Sequence, residues 1–253
     1  MIMLYFSGTG NSKYIAELFC ENMNAACYSI EGETDFAHVI ASEDIVGFCY
    51  PVYGSRVPRL MREFVIKHME SLKGKKLIIF CTQMFFSGDA ARVLTDLLPR
   101  GFAKTIYAEH FLMPNNVCNL FLTPLDSEKR IKKYLTNASR KMRTVCDEIN
   151  NGIVKMRGFN PVSRVLGLMQ GLFFPGIEKR ASGKVWVDKD CNRCCLCVSI
   201  CPMGNFAFEN ERIETKNNCM ICYRCINKCP KKAISVFLRG KVKKQYSGVS
   251  REI

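Results

Sequence analysis

Short apolar runs alternate with stretches of helical periodicity over the first 150 residues. Four runs have the length and character of buried strands, and they cover residues 2–6, 45–50, 77–81 and 104–111. Each of the first three ends in a turn, and apolar residues at helical spacing follow that turn. This alternation predicts an α/β doubly wound parallel sheet.

A long amphipathic helix is predicted over residues 127–151, where it would close the sheet. Asp126 stands where a side-chain cap could begin this helix. The apolar face of the helix comprises Ile131, Leu135, Ala138, Met142, Val145 and Ile149.

Residues 152–181 are interpreted as an amphipathic linker helix that Pro175 and Gly176 would end. Its apolar stripe comprises Val162, Val165, Leu166, Met169, Leu172 and Phe173. The stretch is too short and too interrupted to span a bilayer, so no transmembrane segment is expected. A helix that docks the two ends of the chain onto each other is favoured, and peripheral contact with a membrane surface is the alternative.

Eight cysteines fall into two copies of one spacing, C-x2-C-x2-C-x3-C followed by proline. The first copy is Cys191, Cys194, Cys197 and Cys201, and the second is Cys219, Cys222, Cys225 and Cys229. Zinc sites usually arrive as two C-x2-C pairs with a long gap, whereas three cysteines in one tight turn suit three corners of an iron–sulfur cluster. The spacing favours iron–sulfur clusters, with zinc or reduced structural thiols as the alternative.

The chain is basic, and the excess lies in its second part. Of 253 residues, 37 are Lys or Arg and 23 are Asp or Glu, which gives a net charge of +14. Residues 1–150 account for +2 and residues 151–253 for +12. Because no nucleic-acid-binding motif accompanies this charge, we expect redox protein partners with acidic docking surfaces, and no specific nucleic acid. A solvated basic face without a particular partner is the alternative.

The first apolar run ends in a turn rich in glycine and hydroxyl side chains that leads into a helix. Free N–H groups and the helix dipole make such a turn an anion site. The turn lacks the lysine of a P-loop and the G-x-G-x-x-G of a dinucleotide fold. It resembles the first loop of flavodoxins, a Ser/Thr-x-Thr-Gly-x-Ser/Thr segment around the phosphate of FMN. The matching residues here are Ser7, Thr9, Gly10, Asn11 and Ser12.

The same resemblance implies that the isoalloxazine ring lies between the second and third turns. These turns contribute Pro51, Val52, Tyr53 and Gly54, and then Thr82, Gln83, Met84, Phe85, Phe86, Ser87 and Gly88. Tyr53 is the candidate for stacking on the ring, with Phe85 or Phe86 on the opposite side. Aromatic side chains that simply fill the core are the alternative.

The cysteine runs resemble bacterial two-cluster ferredoxins, in which the last cysteine of each run binds the other cluster. The resemblance assigns Cys191, Cys194, Cys197 and Cys229 to one [4Fe-4S] cluster, and Cys219, Cys222, Cys225 and Cys201 to the other. The order FSGTGNS, PVYG, TQMFFSGD, MPNN and two cysteine runs resembles the flavodoxin–ferredoxin fusion family of anaerobic bacteria and archaea. The segment MPNN matches by position and suggests no chemistry of its own.

This resemblance implies a flavodoxin-like FMN domain over residues 1–151 and a small α+β ferredoxin-like domain over residues 182–238. Residues 239–253 form a basic tail that we expect to be mobile or to bind a partner. No catalytic residue set is evident, so the chain is interpreted as a cytoplasmic electron carrier with FMN and two [4Fe-4S] clusters. Two alternatives are a flavin-dependent reductase of a small substrate, fed by its own clusters, and a redox-sensing interaction module.

Overall fold

The computed structural model describes residues 1–86, 88–119 and 124–249. Its strands are β1 (Ile2–Tyr5), β2 (Ala26–Ser29), β3 (Ile45–Pro51), β4 (Lys76–Gln83), β5 (Lys104–Leu112), β6 (Lys155–Met156), β7 (Val185–Val187), β8 (Phe206–Glu209), β9 (Arg212–Thr215) and β10 (Ile234–Val236). Its α-helices are α1 (Asn11–Met23), α2 (Phe36–Ala41), α3 (Arg59–Lys67), α4 (Ala90–Thr95), α5 (Glu128–Asn150), α6 (Pro161–Ser182), α7 (Leu196–Ile200) and α8 (Arg224–Lys228).

Strands β1 to β6 form one parallel sheet in the order β2-β1-β3-β4-β5-β6. Because helices cover both of its faces, its central strands are apolar at nearly every position. Leu4, Phe48 and Ile79 face the core that α2, α3 and α4 cover, whereas Met3, Cys49 and Phe80 face the core under α1 and α5. The predicted α/β fold with a parallel sheet is confirmed for the N-terminal part.

The edge strands β2 and β6 and the short helix α2 were not predicted. Strand β2 reads ACYS and has no fully buried residue, so it lacks the apolar run that marked the central strands. Strand β6 has two residues, too few for any periodicity. Edge positions of a sheet bury less surface, and their sequence signal is correspondingly weak.

Two helix boundaries differ from the prediction. Helix α5 is capped by Ser127, whose side chain accepts from the N–H of Arg130, and Asp126 instead pairs with the Arg130 guanidinium at 3.0 Å. Helix α6 does not end at Pro175 but continues to Ser182. Proline removes one backbone hydrogen bond without ending a helix whose neighbouring turns are packed.

Helix α6 lies against the sheet domain through small residues. A Cβ atom added to Gly167 would lie 1.8 Å from Asp89 Oδ1, and one added to Gly171 would lie 2.4 Å from Arg56 Nε. Only glycine allows this approach, and Phe174 and Ala181 continue the buried face. No helix in the described ranges is long and apolar enough to cross a membrane.

Residues 185–238, called the cysteine module below, fold as two small antiparallel pairs with two short helices. Strand β7 pairs with β10, and β8 pairs with β9. Helices α7 and α8 each begin after a residue in the left-handed conformation, Cys195 with φ 57° and Tyr223 with φ 61°. The module therefore repeats one local backbone shape at both cysteine runs.

The expectation of a mobile tail is wrong for the described part of that segment. Val242 and Tyr246 are buried. Gln245 Nε2 donates to the carbonyls of Ile226 and Cys229 at 2.8 and 2.7 Å. These two apolar side chains and this amide anchor the segment. The basic composition of the segment gave no indication of this packing.

Candidate functional site

A cavity of about 380 Å³ lies at the carboxyl ends of β1, β3, β4 and β5. This is the edge at which a parallel α/β sheet places its ligand. The turns after these four strands supply most of the lining, and α6 and the cysteine module supply the rest. None of the described residues in the lining is Asp, Glu, His, Lys or Arg. The described lining is therefore uncharged, and the turns after β1, β4 and β5 supply most of its polar side chains.

The turn after β1 leads into the N-terminus of α1. Gly10 precedes this helix with a φ of 104°, a conformation that favours glycine. The first N–H groups of α1 have no acceptor within the helix, and the helix dipole is positive at this end. Of the residues predicted to bind phosphate, Ser7, Thr9, Asn11 and Ser12 line the cavity, whereas Gly10 lies outside its lining.

Hydrogen bonds divide these side chains into two groups. Thr9 Oγ1 accepts from Asn116 Nδ2 at 2.9 Å and Ser7 Oγ accepts from Gly10 N at 3.0 Å, so both hydroxyls keep a proton to donate. Ser12 Oγ lies 2.6 Å from Thr82 Oγ1, which ties the first turn to the third. Ser7 and Thr9 can therefore donate into the cavity, whereas Ser12 holds the turn in shape.

The side-chain amide of Asn11 also stabilises the turn after β1. Its Nδ2 donates to Pro114 O at 2.8 Å, and its Oδ1 accepts from the Tyr246 hydroxyl at 2.6 Å. Both polar atoms of this side chain thus have protein partners.

The segment MPNN after β5 forms some of the hydrogen bonds that hold the turn after β1. Met113 lines the cavity, Pro114 O holds Asn11, and Asn116 holds Thr9. Asn115 N donates to Asp126 Oδ2 at 2.8 Å, which fixes the segment to the start of α5. The segment organises the turn after β1 from the neighbouring strand end.

The turn after β3 places Tyr53 in the cavity wall. Tyr53 and Arg56 exchange backbone hydrogen bonds of 3.2 and 3.0 Å, which closes the turn around Gly54. The ring of Phe174 from α6 lies behind Tyr53, with centroids 6.4 Å apart and planes inclined by 32°. Burial raises the pKa of Tyr53 well above its usual value, and its hydroxyl has no partner within the described residues. A neutral O–H donor therefore remains for a ligand.

The turn after β4 contributes less than expected. Thr82, Gln83 and Met84 line the cavity, but Phe85 and Phe86 lie outside its lining with 68% and 46% of their surface exposed. Gly88 also lies outside the lining, and Ser87 is not among the described residues. The structure therefore does not place Phe85 or Phe86 opposite Tyr53.

The cysteine module supplies the wall that the third turn does not. Ile221, Tyr223 and Phe237 line the cavity, together with Phe174 and Ile177 of α6. None of these was predicted. The sequence contained one indication for Tyr223. It directly follows the second cysteine of its run, the position that Cys195 occupies in the first run.

The second cysteine run touches the turn after β1. A Cβ atom added to Gly8 would lie 2.4 Å from Cys222 O and 3.2 Å from Cys222 Cβ. Cys222 stands between Ile221 and Tyr223, which both line the cavity. Glycine at position 8 is therefore required for this cysteine to approach the cavity.

Arg224 fixes this approach from the cysteine module. Its guanidinium donates to Ser7 O at 2.8 Å, to Gly8 O at 3.1 Å and to Ile200 O at 3.0 Å. It also pairs with Glu31 at 2.6 Å. One side chain thus joins the turn after β1 to both cysteine runs.

The eight predicted ligands surround two small cavities inside the module. The first cavity is lined by Cys191, Cys194, Cys197 and Cys229, with Cys195 and Cys225 also in its wall. The second is lined by Cys201, Cys219, Cys222 and Cys225. Each cavity thus includes the last cysteine of the other run.

Backbone N–H groups point at sulfur in the same way in both runs. Arg193 N donates to Cys191 Sγ at 3.4 Å and Ile221 N to Cys219 Sγ at 3.3 Å. At the fourth cysteines, the pattern is repeated at 3.3 Å, from Asn205 N to Cys201 Sγ and from Ala233 N to Cys229 Sγ. Such donors stabilise negative charge on sulfur.

Burial raises the pKa of the Cys222 thiol to about 12 and that of Cys197 to about 11. Deprotonation of these thiols therefore needs a compensating positive charge, which a bound metal centre supplies. Across the described ranges, no three His, Cys, Asp or Glu side chains form a group that could hold a metal ion. The cysteines of a cubane cluster each bind a different iron, so they need not meet at one point.

Residues 2–115 match a sequence family described as a flavodoxin domain. No curated protein matches the chain. Among solved structures, the reduced flavodoxin of Megasphaera elsdenii is 22% identical and aligns over 56% of this chain and 99% of its own, with a TM-score of 0.37. General stress protein 14 of Treponema denticola, solved in complex with FMN, is 14% identical over 58% and 97% of the two chains, with a TM-score of 0.43. The match of residues 2–115 to the family shows that the N-terminal part of the chain is a flavodoxin-like domain.

Proposed function

We propose that this protein transfers electrons between FMN, bound in the 380 Å³ cavity, and two [4Fe-4S] clusters held by the cysteine module. The observation that carries the proposal is the contact between Cys222 and Gly8, because a cluster bound by Cys222 would lie directly behind the wall of the proposed flavin cavity. Short separations between redox groups favour electron transfer, and here two of them would share one protein wall.

The residues that line the cavity fit FMN. Ser7, Thr9 and the N–H groups at the start of α1 would hold the phosphate, with no lysine required. Tyr53 and Tyr223 supply aromatic surface for a flat ring, and their hydroxyls, with Gln83 Oε1, are buried without a partner in the described part of the chain. Buried polar atoms usually have partners, so these groups indicate a polar ligand.

The cysteines fit two cubane clusters. The set around the first cavity, Cys191, Cys194, Cys197 and Cys229, would hold an outer cluster, since Cys194 is exposed. The set around the second, Cys201, Cys219, Cys222 and Cys225, would hold an inner cluster. Flavin exchanges one or two electrons and each cluster exchanges one, so together they would convert between two-electron and one-electron chemistry.

The uncharged lining favours a carrier over a reductase. A reductase that protonates a small substrate needs an acid near the ring, and the described lining offers only tyrosines whose pKa values are raised by burial. Tyrosine is a weak acid under these conditions. A flavin-dependent reductase fed by its own clusters is therefore the second candidate.

The external redox partner is proposed to dock near the outer cluster with an acidic surface. Cys194 is exposed, and two exposed cations, Lys189 and Arg193, lie close to it in the sequence. Opposite charge steers such partners and orients them for transfer. Association should therefore slow as the salt concentration rises.

Anaerobic purification tests the cofactor assignment. Iron, acid-labile sulfide and flavin are measured on one sample, together with its visible spectrum. We expect about eight irons and one FMN per chain, as two cubanes and one flavin require. Two zinc ions together with the spectrum of flavin alone would overturn the cluster assignment and leave the flavin assignment standing.

Substitution of Thr9 tests the phosphate site. Thr9→Ala removes a hydroxyl donor, and we expect FMN affinity to fall by about tenfold, as for a lost hydrogen bond to a charged group. Flavin fluorescence titration measures this, and the iron content should stay unchanged. Thr136→Ala on α5 is the control. Equal FMN affinity in both variants would contradict the assignment of the turn after β1.

A further inference from the structure

Helix α6 has two apolar faces, and only one is covered by the protein. The covered face comprises Gly167, Gly171, Phe174 and Ala181. Opposite it, at spacings of three and four residues, lies a second stripe with 40% to 73% of each side chain exposed: Val162, Val165, Leu166, Met169, Leu172 and Phe173. Docking of the helix onto the sheet domain explains the first face and leaves the second unexplained.

More exposed apolar surface lies next to the helix. The turn after β4 contacts α6, since a Cβ atom added to Gly88 would lie 2.6 Å from Gly167 Cα. Phe85 and Phe86 precede this contact and are 68% and 46% exposed. A cluster of exposed apolar side chains on this scale marks an interaction surface.

Cations accompany this stripe. Arg164, Lys179, Arg180 and Lys184 are all exposed, and Arg180 continues the spacing of the stripe beyond Phe173. Glu178 is the one acidic residue between positions 152 and 184, and it pairs with Arg62 at 3.2 Å. The surface therefore presents apolar side chains beside uncompensated positive charge.

We propose that the exposed stripe of α6 binds the surface of a membrane that contains anionic lipids. A helix with Leu, Phe and Met on one side and Lys and Arg around it lies in the interface between headgroups and acyl chains. Anionic headgroups complement the cations, and the convex surface of a single helix suits lipid, whereas a protein partner would need a matching groove. The proposal stands on the surface of α6 and does not depend on which cofactors the protein carries.

Vesicle co-sedimentation of the full-length protein, purified anaerobically with whatever cofactors it holds, tests this proposal. We expect binding to phosphatidylglycerol vesicles and at least about tenfold weaker binding to phosphatidylcholine vesicles. The double variant Leu172→Glu/Phe173→Glu should lose at least about tenfold in affinity for the anionic vesicles, because two apolar side chains no longer enter the interface. Phe208→Glu, a like change at an exposed residue of β8, is the control and should bind as the unchanged protein does.

The charge contribution has its own test. Lys179→Gln/Arg180→Gln should weaken binding to anionic vesicles about thirtyfold, near 1 kcal/mol for each cation. Lys129→Gln/Lys132→Gln on α5 is the matched control and should not. Circular dichroism confirms that the variants fold. Absence of binding to either vesicle, or equal binding by the α6 variant and its control, would overturn the proposal. Self-association that the α6 variant abolishes, without vesicle binding, would assign the stripe to a second copy of the chain.

Discussion

The two cysteine runs share one backbone and differ in what surrounds them. The N–H groups of Arg193 and Ile221 donate to the first sulfur of each run at nearly equal distances, 3.4 and 3.3 Å. Yet Cys194 is exposed, whereas its counterpart Cys222 is buried against Gly8. The repeated spacing determines the backbone around each sulfur. The residues between the cysteines determine whether a run faces solvent or the cavity at the sheet edge.

The largest difference between the two runs is expected when the second cysteine of each run, Cys194 or Cys222, is replaced. Cys194→Ser and Cys222→Ser should each lose about half of the iron, because each would remove a ligand of one of the two proposed cubanes. Only Cys222→Ser should also lose most of the FMN, since its run forms a wall of the cavity. Iron and flavin assays on anaerobic samples measure both losses. Equal retention of flavin in the two variants would show that the runs are not specialised.

Substitutions of Tyr223 and Cys195, the residues that follow Cys222 and Cys194, test the same difference between the two runs. Tyr223→Ala should lower the free energy of unfolding by about 3 kcal/mol, because it opens a void in a buried aromatic wall. Cys195→Ala should change it by less than about 1 kcal/mol, as a small, partly exposed side chain is replaced by one of similar size. Urea denaturation compares them. An equal loss in the free energy of unfolding in the two variants would contradict the assignment of Tyr223 to the cavity wall.

Arg224 and Arg193 contrast a partly buried cation with an exposed one. Arg224→Met removes the donors to Ser7 O and Gly8 O, and we expect a loss of about 2 kcal/mol in stability. Arg193→Met should stay within about 0.5 kcal/mol, as surface substitutions do. Thermal unfolding followed by circular dichroism measures both. Flavin affinity should fall in the first variant alone.

Asn227 and Ser199 occupy equivalent positions between the third and fourth cysteines of the two runs. In the described part of the chain only Asn227 binds the tail, by accepting from the N–H of Tyr246 at 2.8 Å. The smallest effect is therefore expected from Tyr246→Phe, which removes the hydrogen bond to Asn11 at a cost of about 1 kcal/mol. FMN should dissociate about fivefold faster, measured by the recovery of flavin fluorescence. Tyr134→Phe on α5 is the control, and an equal rate in both variants would show that the tail does not hold the turn after β1.

Local patterns predicted the central strands of the sheet and the turns after β1 and β3. Each of these depends on residues that are close in sequence, such as the apolar run of β3 and the glycines after β1. The remaining walls of the cavity depend on contacts between distant parts of the chain, so no local pattern indicates them. Phe85 and Phe86 lay at a plausible position in sequence, but both lie outside the cavity lining, to which the cysteine module contributes Ile221, Tyr223 and Phe237.

The contact between Asn11 and Tyr246 joins positions 235 residues apart. A ribosome adds residues in order from the N-terminus, so the turn after β1 emerges long before the side chain that holds its amide. The sheet can form early, but the turn reaches its final hydrogen bonding only once Tyr246 has left the exit tunnel. Stable capture of the proposed flavin is therefore expected only after the segment that contains Tyr246 has been synthesised.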